Sequence, residues 1–284
     1  MDDPSYQRWR KAKLEHYPDS VEQICVDVGG LVKLSDAEKA AIIMSCGRSN
    51  MAIYRCRDDS VDRAAVRTFA SCFGLENPDY HLCANDDGVS ELTVAAEGTR
   101  TGYVPYSNRS LSWHTDGYYN DSAHKVRAVV LHCASVPARG GENSLLDSDM
   151  AYLRLRDEDP RFITAFEHPE CLTIPANRDK SGEIRPAVSG PVFSYDKLSG
   201  RIHMRFSARK KNIRWRDDEL TFAARDCLAD ILADPDGPVF HYRLQPGEGL
   251  ISNNVLHNRT AFEDGPGHRR LLYRARFFDV IESS

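Results

Sequence analysis

Short apolar runs separated by turn residues make up most of this 284-residue chain after Tyr103. Helical patterns interrupt these runs only occasionally, so the regular strand–helix alternation of a Rossmann or TIM-barrel fold is missing. The pattern predicts a mainly β fold, a barrel or jelly roll with helical insertions that flank it. The runs of strand length cover residues 126–133, 191–195, 202–206, 239–244, 249–253 and 271–280.

The first hundred residues mix both kinds of secondary structure. Ser35 and Glu38 form a capping box that opens a helix, and Gly47 is expected to end it. Predicted helices cover 35–46, 60–73, 147–159 and 217–232, and two further short strands cover 51–54 and 92–95.

No internal repeat, low-complexity tract or long linker divides the chain. We therefore expect a single domain over residues 1–284, in which a mixed α/β part (1–100) packs on a β core (101–284).

Charge and composition narrow the range of partners. The net charge is −5 and the pI is near 6.1, which argues against a nucleic-acid binder. The chain has no secretory signal pattern and no apolar run near the ~18 residues of a membrane span, so we expect no membrane contact. The eight cysteines are scattered without metal-site spacing, which favours reduced thiols and a cytoplasmic location. A homo-oligomer is compatible with the sequence.

His114-Thr115-Asp116 is a candidate metal-binding motif. On a strand, residues two apart point to the same side, so His114 and Asp116 can reach one ion. His257 follows a later predicted strand and supplies a second imidazole. Two imidazoles, one carboxylate and no thiolate suit iron(II) better than structural zinc. His168-Pro169-Glu170 is a rival His-x-Glu pair, but its proline fits a regular strand poorly.

Arg270 and Arg274 lie shortly after His257. Residues 270, 272, 274 and 276 share one face of a predicted strand, so both arginines can enter a cavity. Buried guanidinium groups need anionic partners, and a guanidinium holds a carboxylate through two parallel hydrogen bonds. This predicts a site for the far carboxylate of a keto-acid cosubstrate, and a charged strand on the rim of the barrel is the alternative.

Together these segments resemble the taurine dioxygenase-like branch of the iron(II)/2-oxoglutarate-dependent oxygenases, which includes clavaminate synthase-like and γ-butyrobetaine hydroxylase-like enzymes. The resemblance runs from about Tyr103 to Phe278. The matching motifs are 113–117 (WHTDG), 140–143 (GGEN), 253–257 (NNVLH) and 270–274 (RLLYR).

The resemblance implies a double-stranded β-helix (jelly roll) core that uses Fe(II), 2-oxoglutarate and O2. It makes His114, Asp116 and His257 the iron ligands and assigns Arg270 to the C5 carboxylate of 2-oxoglutarate, although Arg269 also lies within the allowed spacing. Relatives usually have Thr after Gly-Gly-Asp/Glu. Here Asn143 occupies that position and Ser144 follows, and either can bind 2-oxoglutarate.

The segments around the motif are expected to line the substrate site. Arg274 often meets an acidic substrate group in relatives. Four tyrosines can form a cage for an amine or simply pack against neighbours. The basic run 209–214 is expected to be a solvated loop, with a lid as the alternative. The candidate substrate-binding residues near the motif are Tyr103, Tyr106, Asn108, Tyr118 and Tyr119.

The leading hypothesis is hydroxylation of an unactivated C–H bond in a small polar molecule such as an amino acid or betaine. Asp116 favours hydroxylation, because halogenating relatives replace this carboxylate with a small residue. Desaturation or ring chemistry with the same cofactors is one alternative. A cupin-like hydrolase or isomerase that does not use O2 is another, and a non-catalytic binding protein is a third.

Overall fold

The computed structural model describes residues 4–57, 61–81, 84–179 and 182–281. The predictions that concern Ser60 and Cys83 lie outside these residues. Six α-helices occur in the described ranges: α1 (Pro4–His16), α2 (Asp36–Ser49), α3 (Arg63–Ser71), α4 (Ser148–Glu158), α5 (Pro160–Phe166) and α6 (Glu219–Ala233). Short 3-10 helices cover Val21–Ile24, Thr99–Gly102 and Val104–Tyr106.

The strands are short, as the sequence predicts. In chain order they are β1 (Cys25–Val28), β2 (Met51–Cys56), β3 (Val89–Leu92), β4 (Leu111–His114), β5 (Ala128–Ser135), β6 (Arg139–Gly140), β7 (Asn143–Leu146), β8 (Leu172–Ile174), β9 (Asn177–Asp179), β10 (Gly182–Arg185), β11 (Val188–Gly190), β12 (Phe193–Asp196), β13 (Arg201–Met204), β14 (Arg214–Trp215), β15 (Phe240–Tyr242), β16 (Glu248–Ser252), β17 (Leu256–Arg259), β18 (Phe262–Glu263) and β19 (Leu271–Phe277).

Two sheets form the centre of the fold. The larger sheet has the order β1-β2-β16-β5-β19-β3, and the smaller has the order β15-β7-β17-β4. Most neighbouring strands in these sheets are not consecutive in the chain, as in a jelly roll. The predicted jelly-roll architecture is confirmed. The two sheets stay separate ladders in the described chain and do not close into a barrel.

Alternation along each strand builds the layers. In β2, Met51 and Ile53 face the smaller sheet, whereas Ala52 and Tyr54 pack under the helices α2 and α3. In β7, Leu145 joins the core between the sheets, and its neighbour Leu146 packs toward α4, α5 and α6. The result is four layers, with helices on both outer faces and the candidate site residues on strands of the inner two.

Some predicted boundaries are wrong. The capping box at Ser35 is confirmed, but α2 continues through Gly47 and ends where Asn50 adopts a left-handed conformation (φ 57°). The second helix begins at Arg63, capped by Asp62, and the strand expected over 92–95 is instead β3, three residues earlier.

Helix α1 was not predicted. Its sequence is mostly polar, and Lys13 is the buried residue within it, while the aromatic side chains of Tyr6 and Trp9 are partly buried. Lys13 Nζ lies 2.5 Å from Asp147 and 2.9 Å from Asp149, two carboxylates at the start of α4. These ion pairs and the packing of Tyr6 and Trp9 against the core therefore attach the helix, which its mostly polar sequence does not indicate. Each helix in the described part of the chain falls short of the length and apolar character needed to cross a membrane. The seven described cysteines are free thiols.

Candidate metal centre

Adjacent strands of the smaller sheet bring the two motif histidines together. His257 on β17 is paired directly with His114 at the end of β4, so the two side chains point to the same side of the sheet. Their ring centroids are 4.3 Å apart, and both residues are buried. The two histidines are 143 residues apart in the chain and become neighbours through one antiparallel ladder.

Asp116 does not lie on the strand, contrary to the sequence prediction. Strand β4 ends at His114, and Asp116 begins the turn that follows. Gly117 makes this turn possible. Its φ is +68°, and a Cβ there would lie 2.4 Å from the Cγ2 atom of Val126. The turn, and not the alternation of side chains along a strand, therefore places the Asp116 carboxylate close to His114.

Asn254 fixes the backbone of Asp116. Its Oδ1 accepts a hydrogen bond from the Asp116 N–H at 2.7 Å, and its Nδ2 donates to the Asp116 carbonyl at 2.8 Å and to that of Val126 at 2.7 Å. Asn254 itself adopts a left-handed conformation with φ 54°. This role was not predicted from the sequence, although Asn254 lies only three residues before His257.

One ligand atom from each of His114, Asp116 and His257 lies within 4.8 Å of the other two, so among the described residues these three could hold a metal ion, and we refer to them as the metal-binding cluster. The Nδ1 atom of His114 lies 2.9 Å from the Ser112 carbonyl, and that of His257 lies 3.0 Å from the Val255 carbonyl. A carbonyl can only accept, so each Nδ1 carries the proton and each Nε2 keeps a lone pair for a metal.

One oxygen of the Asp116 carboxylate accepts a hydrogen bond and the other does not. Arg274 Nη1 donates to Oδ1 at 3.0 Å, whereas the buried Oδ2 has no hydrogen-bond partner in the described chain. Burial raises the pKa of Asp116, but the charges of Arg274 and Arg276 outweigh this effect and leave the pKa below its usual value. Burial, followed by the neighbouring His257, lowers the pKa of His114 to about 3. A carboxylate and a neutral imidazole are the forms that bind metal, so these residues fit a metal ion.

Arg270 is a buried cation without a carboxylate partner among the described residues. It is 3% exposed, whereas Arg269 is exposed. Its guanidinium carbon lies 5.1 Å from the Phe262 ring centre, and Nη1 makes a long 3.4 Å contact to the Leu92 carbonyl. Burial lowers its pKa to about 10. A buried guanidinium of this kind can hold a ligand carboxylate.

Asn143 and Ser144 point to opposite sides of β7. Asn143 shares its side with Leu145, the direct partner of His257. Ser144 is paired with Asn258 on the outer side, where its hydroxyl lies 3.0 Å from His241 Nδ1. Of these two candidates, Asn143 therefore lies on the face of the metal-binding cluster.

The candidate tyrosines are associated with arginines. Tyr119 lies between the guanidinium groups of Arg185 and Arg276, at 5.8 and 5.7 Å from its ring centre. The Tyr118 hydroxyl accepts a hydrogen bond from Arg209, and its ring lies 6.3 Å from that of His114.

The remaining candidates on the preceding loop differ in environment. Tyr106 is buried and lies 5.3 Å from the Arg100 guanidinium, and the Tyr103 hydroxyl accepts from Asn177 at 3.4 Å. Asn108 is exposed, and its carbonyl accepts from the Phe262 N–H. The basic run 209–214 is mostly exposed, as expected of a solvated loop.

A cavity of about 690 Å³ opens beside Tyr119. Asp79 and Arg185 also line it. Asp79 and Arg276 were not predicted as site residues, because they pair across 197 positions of sequence.

The rival pair His168 and Glu170 lies apart from the metal-binding cluster. The Glu170 N–H donates to Nδ1 of His168, two residues before it.

Comparisons with known proteins agree with this geometry. Residues 52–276 match the model of the taurine catabolism dioxygenase TauD, TfdA family. A uridine-5'-phosphate dioxygenase from an Amycolatopsis species is 28% identical over 176 residues, which is 61% of this chain. The match spans 62% of that relative's own length.

Solved structures share the fold at low identity. A taurine dioxygenase from Burkholderia xenovorans has a TM-score of 0.59 and 16% identity over 92% of this chain and 89% of its own. An asparagine oxygenase, in complex with Fe(II), 3-hydroxyasparagine and succinate, has a TM-score of 0.56 and 17% identity over 98% and 92% of the two chains. The family match covers well over half of the sequence and includes every candidate metal and cosubstrate residue. The chain therefore belongs to the taurine catabolism dioxygenase TauD, TfdA family and, with it, to the iron(II)/2-oxoglutarate-dependent oxygenases.

Proposed function

We propose that this protein hydroxylates a C–H bond of a small polar molecule that carries an acidic group. One O2 is consumed: one oxygen atom enters the substrate as hydroxyl, and the other enters succinate as 2-oxoglutarate loses CO2. Bound iron(II) supplies the O2 activation, and the chain supplies geometry, charge and exclusion of water.

The unpartnered Oδ2 of Asp116 is the observation that carries this proposal. A buried carboxylate oxygen without a hydrogen bond is costly unless a cation binds it. One ring nitrogen of His114, one of His257 and one carboxylate oxygen of Asp116 lie within 4.8 Å of one another. These three residues would hold iron(II), for which two imidazoles and one carboxylate are a suitable set of ligands.

Arg270 and Asn143 are our proposed 2-oxoglutarate contacts. Arg270 has a buried guanidinium that lacks a carboxylate partner in the described chain, and Asn143 lies on the inner side of β7. Ser144 is the weaker candidate, because its hydroxyl is directed to His241 on the outer side. A bidentate contact to Arg270 would set the cosubstrate's orientation before it reaches the metal.

The cations around the tyrosines favour an acidic substrate group over a simple amine. Tyr119 already faces two guanidinium groups, Arg185 and Arg276, which leaves little reason for a third cation to bind there. Arg185 lines the 690 Å³ cavity and has no carboxylate partner in the described ranges. Arg274 stays a proposed substrate contact, since its buried Nε has no hydrogen-bond partner. Amino acids, betaines and nucleoside monophosphates all carry an acidic group, and the uridine-5'-phosphate dioxygenase relative supports including the last.

The test is an assay of succinate formation with iron(II), ascorbate and 2-oxoglutarate. The panel consists of amino acids, betaines and nucleoside 5'-monophosphates, each compared with its analogue that lacks the acidic group. We expect at least one acidic member to stimulate succinate release and to gain one oxygen atom by mass spectrometry. Stimulation by an uncharged analogue to the same degree would contradict the proposed substrate class. If the iron-loaded protein makes no succinate with any member of the panel, the proposed reaction is contradicted.

A further inference from the structure

Arg276 is a second buried guanidinium beside the proposed metal ligand Asp116. It is the largest of the fully buried side chains in the described chain. Its Nη2 lies 2.6 Å from Asp79 Oδ2, and its Nη1 donates to the Tyr119 hydroxyl at 2.8 Å. The same Nη1 is only 3.7 Å from Asp116 Oδ1. Arg276 thus makes short hydrogen bonds to Asp79 and Tyr119, and it lies just beyond hydrogen-bond distance from Asp116.

Two guanidinium groups therefore compete for one carboxylate. Arg274 already donates to Asp116 Oδ1 at 3.0 Å. If Arg276 moved about 1 Å closer, it would complete a second charge-assisted hydrogen bond to Asp116. Cations that bind a ligating carboxylate compete with a metal ion for the same negative charge, and more strongly where water is excluded. In its present position Arg276 contacts Asp79 and the Tyr119 hydroxyl, and of these two partners Asp79 is the charged one.

The position of Asp79 is set by backbone contacts and does not depend on a metal. Its N–H donates to the carbonyl of Arg276 at 2.7 Å, and the Phe278 N–H donates to the carbonyl of Asn77 at 3.0 Å. These bonds attach the segment 77–79 to β19, directly opposite the arginine. Replacing the Asp79 carboxylate by an amide would leave this attachment in place.

We propose that Asp79 is a positioning residue that holds Arg276 away from Asp116 and thereby sets the metal affinity of the centre. This rests on the proposed metal centre. Asp79 and Asp116 balance Arg274 and Arg276 in charge. Removing the charge of Asp79 leaves Asp116 as the nearest carboxylate to a buried guanidinium, so Arg276 is expected to close on it.

The test measures Co(II) affinity by isothermal titration calorimetry, with the melting temperature of each metal-free variant as a check of folding. We expect Asp79→Asn to weaken Co(II) binding roughly tenfold or more, in the range typical of groups that orient a metal ligand. The double variant Asp79→Asn/Arg276→Met removes both members of the pair. It should bind Co(II) more tightly than the single variant and approach the parent, because no competing cation is left.

Asp196→Asn is the matched control. Asp196 is also buried and pairs with Arg127 at 3.0 Å, away from the metal-binding cluster. This variant should lower the melting temperature and leave Co(II) affinity unchanged. Parent-like Co(II) affinity in Asp79→Asn would overturn the proposed role of Asp79 but not the proposed metal centre. A double variant that binds Co(II) as weakly as Asp79→Asn would do the same. A parent chain that binds no Co(II), or binds it equally well after Asp116→Ala, would overturn the proposed metal centre and this inference with it.

Discussion

Replacing Asn254 by alanine should destabilise the protein strongly, although this residue is not among the proposed metal ligands. The Asn254 side chain makes three buried hydrogen bonds, two of them to the backbone of Asp116. Asn254 also adopts a left-handed backbone conformation, which alanine accepts poorly. The substitution therefore removes a side-chain connection and adds backbone strain at the same position.

The two effects can be given magnitudes. A hydrogen bond contributes about 1 kcal/mol net, so three contribute about 3 kcal/mol to the free energy of unfolding. Alanine tolerates the left-handed conformation less well than asparagine, whose short polar side chain suits that region, and this costs about 1 kcal/mol more. We expect Asn254→Ala to lose about 4 kcal/mol in total, a large share of the stability of a typical domain.

Asn212→Ala is the matched control, because Asn212 has a similar φ of 62° but is exposed. It should lose only the conformational part, about 1 kcal/mol. Both losses are measured by urea denaturation of the metal-free protein. A loss in Asn254→Ala that is no greater than in Asn212→Ala would refute the claim that this side chain fixes the Asp116 backbone.

Three further predictions follow from buried polar groups. Asn143→Ala should raise the KM for 2-oxoglutarate about tenfold in the succinate assay, as expected for a lost bond to a charged ligand, whereas Ser144→Ala should change it little; equal effects would contradict the assignment of strand faces. Lys13→Met leaves two buried carboxylates without their cation and should cost about 3–5 kcal/mol in urea denaturation, and a loss below about 1 kcal/mol would argue against that ion pair. Burial lowers the pKa of His132 to about 4, below its value of about 6.5 in the unfolded chain. The unfolded state therefore binds the extra proton, and up to about 3 kcal/mol of stability is lost as the pH falls from about 6.5 towards about 4. His132→Phe should lose correspondingly less over that interval, and an unchanged pH dependence would rule out this contribution.

Much of the fold could be predicted because strand and helix periods are local properties. The strand runs that became β12 and β13 and the capping box at Ser35 were found in this way. Boundaries were less accessible, since α2 ends only where Asn50 can take a left-handed conformation, not at the first glycine. Helix α1 is mostly polar apart from Tyr6 and Trp9, and the ion pair of its Lys13 is with a residue more than 130 positions away.

The candidate site shows the same division between local and distant information. His114, Asp116 and His257 were predicted from residue type and order, and the structure brings their ligand atoms together. The choice between Asn143 and Ser144 needed the phase of β7, which the sequence did not supply. The pairing of Asp79 with Arg276 joins two segments that the chain does not connect locally. Such contacts become visible only when the sheet is assembled.

The central claim is that His114, Asp116 and His257 hold one iron(II) ion per chain. The most direct measurement is anaerobic equilibrium dialysis of the purified chain against iron(II), with iron determined by elemental analysis. We predict one tightly bound iron in the parent and in His241→Ala, a control on the outer side of the same sheet. His114→Ala and His257→Ala should each lose this binding. Retention of one tightly bound iron by either of these variants, at parent affinity, would contradict the account.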